Sequence, residues 1–311
     1  MRNILLFLLF LMHTVLGFSQ ENSGFVSLFN GKDLTGWIMP GKIPGFEVID
    51  GIMVAEPQNG SDIFTNQEYA NYIFRFEYLL SKVGNSGVLI RCSPQDPWGT
   101  GVEVQLLAPW TPYRDDLHCT ASLYGHVAVT NRPDETTGIW HEMEIKYDRN
   151  IITISVDGQM ATVADIDTVE SMRDKYIAGA IGFQSNHSHK GEFIHLRNIA
   201  VRDLDLEPDY VAGGFYFEDI RFREQAWNAA RTIGAPVIGH LAKLMDDENP
   251  VAEAGAKQIL FDIIANATAP DQTKANRDEI ISAIKSEKSN SLSGKATAYL
   301  QWLLEMLETT Y

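Results

Sequence analysis

The sequence predicts a mainly β protein, in which an antiparallel sandwich is followed by an all-α domain. From about residue 24 to residue 206, short apolar–polar alternations recur between turn residues, and helical periodicity is scarce. After residue 206 the apolar residues recur at helical spacing and strand signals are few. The length of 311 residues, with 45% hydrophobic and 21% charged residues, suits two folded domains.

The strands of the first domain are predicted from alternation and from the turns between them. Residues 46–49 run into Asp50-Gly51 and return through residues 52–54, which is typical of a hairpin. Because strand side chains point alternately to opposite faces, each such run gives one apolar face to a core. Further alternating runs are found at residues 72–80, 142–147, 151–156, 179–184 and 193–201.

Residues 85–107 are two such runs joined by a loop rich in proline, glycine and tryptophan, and we place them at the centre of the sandwich. If their valines, isoleucines and Leu106 enter the core, the other face gathers Arg91, Glu103 and Gln105. Trp98 and several glycines beside them favour a sugar-sized recess. The same pattern also fits a surface ion pair between Arg91 and Glu103, with Gln105 as a passive surface amide.

The second domain is predicted to be helical from residue 207 to residue 311. Residues 235–245 and 251–265, separated by an acidic turn and Pro250, resemble the paired helices of a HEAT-type repeat. Similar amphipathic runs at residues 222–233, 279–285 and 296–307 would complete a bundle of about five helices. We expect Trp227 and Trp302 in its core. The domain shows no cluster of chemically reactive residues, so its expected role is to pack on the sandwich or to bind a protein partner.

Residues 1–20 are predicted to be a secretory signal peptide, with Arg2 before an unbroken apolar run from Ile4 to Met12. We therefore expect an exported protein, periplasmic or secreted, without membrane insertion. The formal net charge of -16 argues against nucleic acid as a partner. The two cysteines, Cys92 and Cys119, could form a disulfide or remain buried thiols.

Several segments in the first domain together resemble the 3-keto-disaccharide hydrolase family. The resemblance runs over about 180 residues in the order of the family's motifs, and it implies a concanavalin-like jelly-roll sandwich that acts on 3-keto-glycosides. The matching segments are FNGKDLTGW at 29–37, NSGVLIR at 85–91, GVEVQ at 101–105, SLYG at 122–125, IGFQ at 181–184 with His187 beyond it, and LRNI at 196–199.

The implied chemistry makes physical sense for these residues. A 3-keto group acidifies the hydrogen on C2 of the sugar, so a general base can remove it and expel the C1 substituent. Glu103 is the candidate base or metal ligand, and Arg91 the candidate stabiliser of the enolate oxygen or orienter of the substrate. Tyr124 and His187 are candidate second acid/base groups, although a solvated loop histidine and a core tyrosine are alternatives.

Other residues are candidates for holding the sugar. Gln105 and Gln184 suit recognition of hydroxyl groups, and His118 is a further binding candidate. The aromatic rings with sugar-stacking potential are those of Trp98, Trp110, Tyr113 and Trp140, of which Trp140 is expected in the core. No cofactor is evident from the sequence, and a divalent metal ion would be compatible with the candidate carboxylate.

The chain departs from the family after Gln105. Where relatives have an Asp-Asn pair, this sequence has residues 107–118, in which Asp115, Asp116 or His118 could take its place. Two hypotheses for function follow. The first is an enzyme that cleaves 3-keto-glycosides by hydrolysis or elimination, and the alternative is a non-catalytic carbohydrate-binding sandwich module.

Overall fold

The computed structural model describes residues 24–55, 60–112, 114–288, 290 and 292–309. The predicted signal peptide and Tyr113 lie outside these residues. The strands of the described chain are Val26–Ser27 (β1), Trp37–Ile38 (β2), Glu47–Ile49 (β3), Ile52–Ala55 (β4), Ile63–Tyr69 (β5), Tyr72–Leu80 (β6), Asn85–Cys92 (β7), Val102–Leu107 (β8), His141–Asp148 (β9), Ile151–Val156 (β10), Gln159–Asp165 (β11), Gly179–Phe183 (β12) and Ile194–Asp203 (β13).

These strands form two antiparallel sheets that pack face to face. Within the described ranges, one sheet has the order β11-β10-β9-β6-β13-β4-β3, with β1 paired to β13. The other sheet has five strands in the order β2-β5-β12-β7-β8. Strands that are distant in the chain lie side by side in both sheets, as in a jelly roll. The predicted sandwich is therefore confirmed.

The core between the sheets is built by alternation. In β6, the even-numbered residues from Tyr72 to Leu80 are all buried, and the odd-numbered ones are half-buried. Val88 and Ile90 of β7 enter the same core with Val104 and Leu106 of β8. Apolar side chains on the inner faces thus hold the two sheets together. The other face of the five-stranded sheet carries a small buried cluster of its own, formed by Phe64, Leu89, Cys92 and Ala180.

Helices follow the sandwich, as the sequence predicts. Asp219 accepts a hydrogen bond from the backbone of Arg221 at the start of one helix, and Asn249 and Pro250 begin another. The helices of the described chain are Pro97–Thr100 (α1), which lies in a sandwich loop, and Pro208–Gly213 (α2), Ile220–Ile233 (α3), Ile238–Leu244 (α4), Pro250–Ala267 (α5), Lys274–Lys288 (α6) and Gly294–Thr309 (α7).

The helices after β13 bury their own apolar core, separate from that of the sandwich. Trp227 packs against this core, half-buried, as expected. The expectation for Trp302 is wrong, because this side chain is 44% exposed and stacks on Phe261 at the domain surface. A search of the described helices finds none with the length and apolar character needed to cross a membrane.

Polar contacts join the helical domain to one end of the sandwich. Asp205, in the 3-10 turn after β13, accepts hydrogen bonds from the backbone and side-chain amides of Asn71 at 3.0 and 2.9 Å. The Tyr210 hydroxyl of α2 donates to Asp148 at 2.8 Å. The guanidinium of Arg149 lies 4.3 Å from the centroid of the Phe217 ring. The loops at this end of the sandwich therefore pack directly against α2 and the turns that flank it.

Arg91 lies at this junction, and the prediction that it shares a face with Glu103 and Gln105 is wrong. Ala180 pairs with Cys92 and Gly182 with Leu89, so Ile90 and Arg91 together oppose one residue of β12. This β-bulge, with a φ of 47° at Arg91, turns the side chain toward the core. Arg91 is 1% exposed, and its guanidinium stacks on the ring of Tyr147, 3.4 Å from the centroid.

The Arg91 guanidinium satisfies backbone groups at the end of the sandwich. It donates hydrogen bonds to the carbonyls of Ala70 at 2.7 Å and Arg149 at 2.8 Å, and it reaches the amide oxygen of Asn71 at 3.4 Å. Because Asn71 also binds Asp205, Arg91 supports the contact between the two domains. Its role in this structure is to organise buried backbone rather than to face a ligand.

The two cysteines are free thiols, and both are buried. Cys119 belongs to the core between the sheets, whereas Cys92 packs with Phe64, Leu89 and Ala180 on the other face of the five-stranded sheet. A disulfide between them, one of the two alternatives open from the sequence, is not present.

We expect Arg91→Met to lower the free energy of unfolding by about 3 kcal/mol, because two buried carbonyls would lose a charged donor. Urea denaturation of the purified protein would measure it. Arg75→Met is the matched control, since Arg75 is an exposed partner of Glu144 and its loss should cost less than about 1 kcal/mol. Equal costs for the two variants would contradict the structural role of Arg91.

Candidate functional site

The outer face of the five-stranded sheet holds a row of residues that ends at Glu103. By strand register, Phe64 of β5 is opposite Gly182 of β12, Gly182 is opposite Leu89 of β7, and Leu89 is opposite Glu103 of β8. The backbone amide of Tyr124 donates to the Glu103 carbonyl at 2.9 Å, which extends the row by one residue. Opposite residues share a face, so the side chains of Glu103 and Tyr124 lie on the same side of the sheet.

A second, more polar row runs beside the first. Gly87 of β7 is opposite Gln105 of β8, and the backbone amide of Gln184 donates to the Gly87 carbonyl at 2.9 Å. Extending the register of β5 with β12 by one residue places Asp62 opposite Gln184. The row thus reads carboxyl, amide, glycine and amide across four strands. The side chains of Glu103, Gln105 and Gln184 are all recessed, with 6%, 3% and 8% exposure.

Glu103 has the most altered acidity of the carboxyl groups on this face. Burial raises its pKa from an ordinary value of 4.5 to about 7, and the negative charge of Asp62 adds to the increase. The indole of Trp98 opposes this by donating a hydrogen bond to the carboxylate at 2.9 Å. A carboxyl group with a pKa near 7 can accept or donate a proton at neutral pH, as acid–base catalysis requires.

Gly87 makes room for the Glu103 carboxylate. A Cβ atom at this position would lie 2.2 Å from Oε1 of Glu103, far inside van der Waals contact. The carboxylate therefore leans from its own strand over β7, toward the middle of the face. Gly182 has a similar relation to Phe64, whose Cδ1 would lie 2.4 Å from an added Cβ. The two glycines therefore leave room for the side chains of Glu103 and Phe64 to lie against the backbone of this face.

Asp62 is a candidate site residue that sequence reasoning missed. It directly precedes β5, and the backbone amide of Ser185 donates to its carboxylate at 2.7 Å. Burial raises its pKa, although the Ser185 amide and the nearby His187 act in the opposite direction. Strand register separates Asp62 from Glu103 by three strand spacings, roughly 14 Å at the backbone. In the sequence, the only signal for Asp62 was that the apolar residues Ile63 and Phe64 follow it directly.

Other predicted residues surround this face to different extents. Trp98 in α1 is 46% exposed, with its indole nitrogen on Glu103, so the ring borders the recess. His187 is exposed on the loop after β12 and lies close enough to Asp62 to affect its pKa. The side-chain oxygen of Gln105 accepts a bond from the Leu106 amide at 3.0 Å. Trp98 thus contacts Glu103 directly, whereas His187 lies at the Asp62 side of the face.

The segment that replaces the family's Asp-Asn pair lies beyond the edge of β8. His118 contacts Asp115 at 2.7 Å, and its ring lies edge-on to Tyr124 with a centroid separation of 4.8 Å. Asp116 instead receives a bond from Arg132 at 2.6 Å. Asp115 and His118 are therefore partners of each other and neighbours of Tyr124.

Two of the predicted aromatic residues lie elsewhere. Trp110 is 68% exposed in the loop after β8. Trp140 is half-buried, and the guanidinium of Arg197 covers it at 4.0 Å from the ring centroid. Arg197 belongs to β13, so Trp140 lies beside the other sheet and not on this face. The expectation that Trp140 belongs to the core is therefore wrong. Within the described ranges, no three histidine, cysteine, aspartate or glutamate side chains are arranged to hold a metal ion.

Comparison with known proteins assigns the sandwich to a family. The model of the 3-keto-alpha-glucoside-1,2-lyase-like domain matches residues 24–202, which is more than half of the chain. The protein belongs to this family, as the resemblance of its motifs predicts. No curated protein matches the chain.

Two solved structures from Parabacteroides distasonis are similar to the sandwich. Each is described as a "putative glycosyl hydrolase". The first is 25% identical with a TM-score of 0.51, and the match covers 58% of this chain and 94% of that one. The second is 22% identical with a TM-score of 0.51, covering 58% and 98%. The helical domain lies outside the family match.

The raised pKa of Glu103 predicts a pH-dependent cost in stability. Between pH 4.5 and pH 7 the folded protein retains a proton that the unfolded chain has released, so ionisation destabilises the fold as the pH rises. Glu103→Gln avoids this ionisation. We expect the free energy of unfolding of the variant, relative to that of the wild type, to increase by about 3 kcal/mol from pH 5 to pH 8. Urea denaturation at both pH values measures it, and a constant difference between the two proteins would contradict it.

Gly87→Ala should lower the free energy of unfolding by about 1–3 kcal/mol, because the added methyl group overlaps the Glu103 carboxylate. The cost should be smaller in a Glu103→Ala background, where no carboxylate occupies the space. Thermal unfolding of the four proteins in this cycle measures the coupling. Gly213→Ala is the control, since an added Cβ there has no atom within 4 Å. Independent effects of the two substitutions would overturn this account.

Proposed function

We propose that this protein is an exported enzyme that cleaves 3-keto-glycosides, with Glu103 as the general base. The observation that carries the proposal is the recessed carboxylate of Glu103, with a pKa of about 7, on the outer face of the sandwich. The family's name and the description of the Parabacteroides structure agree with activity on carbohydrates. The export component rests on the apolar segment near Arg2.

In this proposal the keto sugar binds on the outer face of the five-stranded sheet, beside the Glu103 carboxylate and the ring of Trp98. Glu103 removes the proton from C2, and the electron pair of that bond moves to give an enolate, with the negative charge on the C3 oxygen. The enolate then expels the C1 substituent. The leaving oxygen takes a proton from the hydroxyl of Tyr124, the residue directly opposite Glu103. The product of this step is an unsaturated ketone.

Hydrolysis requires one further step on the same groups. The Tyr124 phenolate takes a proton from a water molecule, and the oxygen of that water adds to C1. Protonated Glu103 then returns its proton to C2. If the unsaturated ketone leaves first, the reaction is an elimination. Proton NMR of the products separates these two outcomes, because only the unsaturated ketone has a vinylic hydrogen.

The enolate oxygen needs hydrogen-bond donors, and Arg91 does not supply them from its buried position. The donors on the outer face are the amides of Gln105 and Gln184 and the imidazole of His187. Amide donors held in a recessed site lose little energy to reorganisation when charge develops. His187 lies near Asp62, where its charge acts to lower the pKa of that carboxyl group.

Glu103→Gln should lower the kcat for a 3-keto-glucoside by about 10²–10⁴-fold, the usual contribution of a general base. For the wild type, kcat/KM should fall about tenfold for each pH unit below 7, because the base must be ionised. Release of the aglycone from pH 5 to pH 9 measures both. A full rate at pH 5 would show that Glu103 is not the base.

The alternative function is a non-catalytic carbohydrate-binding module. The exposed rings of Trp98 and Trp110 and the absence of the Arg91 cation from the face favour it. Such a module would bind sugars with the same affinity after Glu103→Gln and would release no aglycone. Calorimetric titration of both proteins, beside the turnover assay, distinguishes the module from the enzyme.

A further inference from the structure

Residues 166–178, the loop between β11 and β12, lie between the helical domain and the short helix α1 that carries Trp98. Two 3-10 turns open this loop, which we call the 166–178 loop. Ile166 and Met172 anchor it in the core between the sheets. Its polar groups bind in two directions, toward α3 and toward α1.

The helix α3 holds the 166–178 loop from the side of the helical domain. The guanidinium of Arg221 donates to the carboxylate of Asp167 at 2.9 and 3.3 Å. One turn further along the same helix, the side-chain amide of Gln225 donates to the carbonyl of Ile177 at 3.2 Å. Residues four apart lie on one face of a helix, so this face of α3 binds both ends of the loop.

The loop in turn holds α1. The ammonium group of Lys175 donates to the carbonyls of Trp98 and Gly99, the latter at 3.1 Å. The backbone amide of Tyr176 donates to the carbonyl of Thr100 at 2.8 Å. The last carbonyls of a helix have no partner within it, and α1 has only four residues. The 166–178 loop therefore supplies the donors for three consecutive carbonyls of α1.

We propose that the helical domain positions Trp98 on Glu103 through the 166–178 loop, with Lys175 as the positioning residue. The Trp98 side chain is 46% exposed, so its bond to the Glu103 carboxylate at 2.9 Å depends on a fixed backbone. That bond opposes the effect of burial on the pKa of Glu103. The positioning is a property of the fold, and it affects catalysis only if Glu103 is the base of the proposed function.

Two other titratable groups lie near this path. Asp62 adds negative charge in the neighbourhood of Glu103. His126 bonds the hydroxyl of Ser171 in the loop at 2.7 Å, and burial and the charge of Lys175 lower the pKa of this imidazole. A test must therefore report on the bond between Trp98 and Glu103 itself.

The indole N–H peak of Trp98 in a proton–nitrogen correlation spectrum reports on this bond. Ionisation of Glu103 between pH 5 and pH 9 should move the peak, and Glu103→Gln should abolish the movement. Trp98→Phe assigns the peak. In Lys175→Met we expect the movement to fall by about half, because the ring is no longer held against the carboxylate. Lys175→Arg retains charged donors and should restore it.

A double variant, Arg221→Met with Gln225→Ala, tests the contribution of the helical domain. It should also reduce the movement of the peak, although neither substitution removes a group bound to α1. Arg231→Met is the matched control on the same helix, since Arg231 binds Asp262 at 2.8 Å with a side-chain exposure of 38%, against 45% for Arg221. An unchanged movement in Lys175→Met or in the double variant, or an equal decrease in Arg231→Met, would overturn the positioning.

Failure of the proposed function has a different signature. If the protein is the proposed enzyme, the pH at which kcat/KM reaches half its plateau should rise by about one pH unit in Lys175→Met, because Glu103 loses a donor. A general loss of structure would instead lower the rate at every pH. If the wild type releases no aglycone, the proposed function fails, and the NMR measurement alone decides the positioning.

Discussion

The register of β7 with its two neighbours is the constraint on which the site depends. Hydrogen bonds to β8 set Gly87 opposite Gln105 and Leu89 opposite Glu103, and those to β12 set Gly182 opposite Leu89. A shift of one residue would turn the carboxylate into the core. Because Gly87 lacks a side chain, the carboxylate can lean across its own sheet, and the resulting loss of solvent raises its pKa. Strand pairing thus leads to the raised pKa of Glu103.

The sequence predicts the strands of the sandwich, the helices after it and the outward orientation of Glu103 and Gln105, since these follow from local periodicity. It does not predict the bulge at Ile90 and Arg91, because alternation alone cannot show where one strand has an extra residue against its partner. Asp62 was missed for a related reason. Its relation to Glu103 comes from pairing between strands distant in the chain, whereas its local context shows only an acidic residue before an apolar run.

The same bulge separates the roles of two charged residues on neighbouring strands, Arg91 of β7 and Glu103 of β8. Arg91 is turned away from the outer face and holds the carbonyls of Ala70 and Arg149, next to the residues that contact the helical domain. Glu103, on the adjacent strand, retains an incomplete set of partners, with Trp98 as its donor among the described residues. A satisfied buried charge contributes to the fold, and a partly satisfied one remains available for chemistry.

The buried thiols have a consequence for how the sandwich responds to thiol reagents. Burial raises the pKa of Cys92 to about 12 and also raises that of Cys119, so both stay protonated and unreactive in the folded state. Their separation on opposite faces of a sheet prevents them from joining each other without loss of that sheet. Oxidants and alkylating reagents therefore reach these sulfurs only when strands separate. The rate of thiol modification therefore reports how often the strands of the sandwich separate.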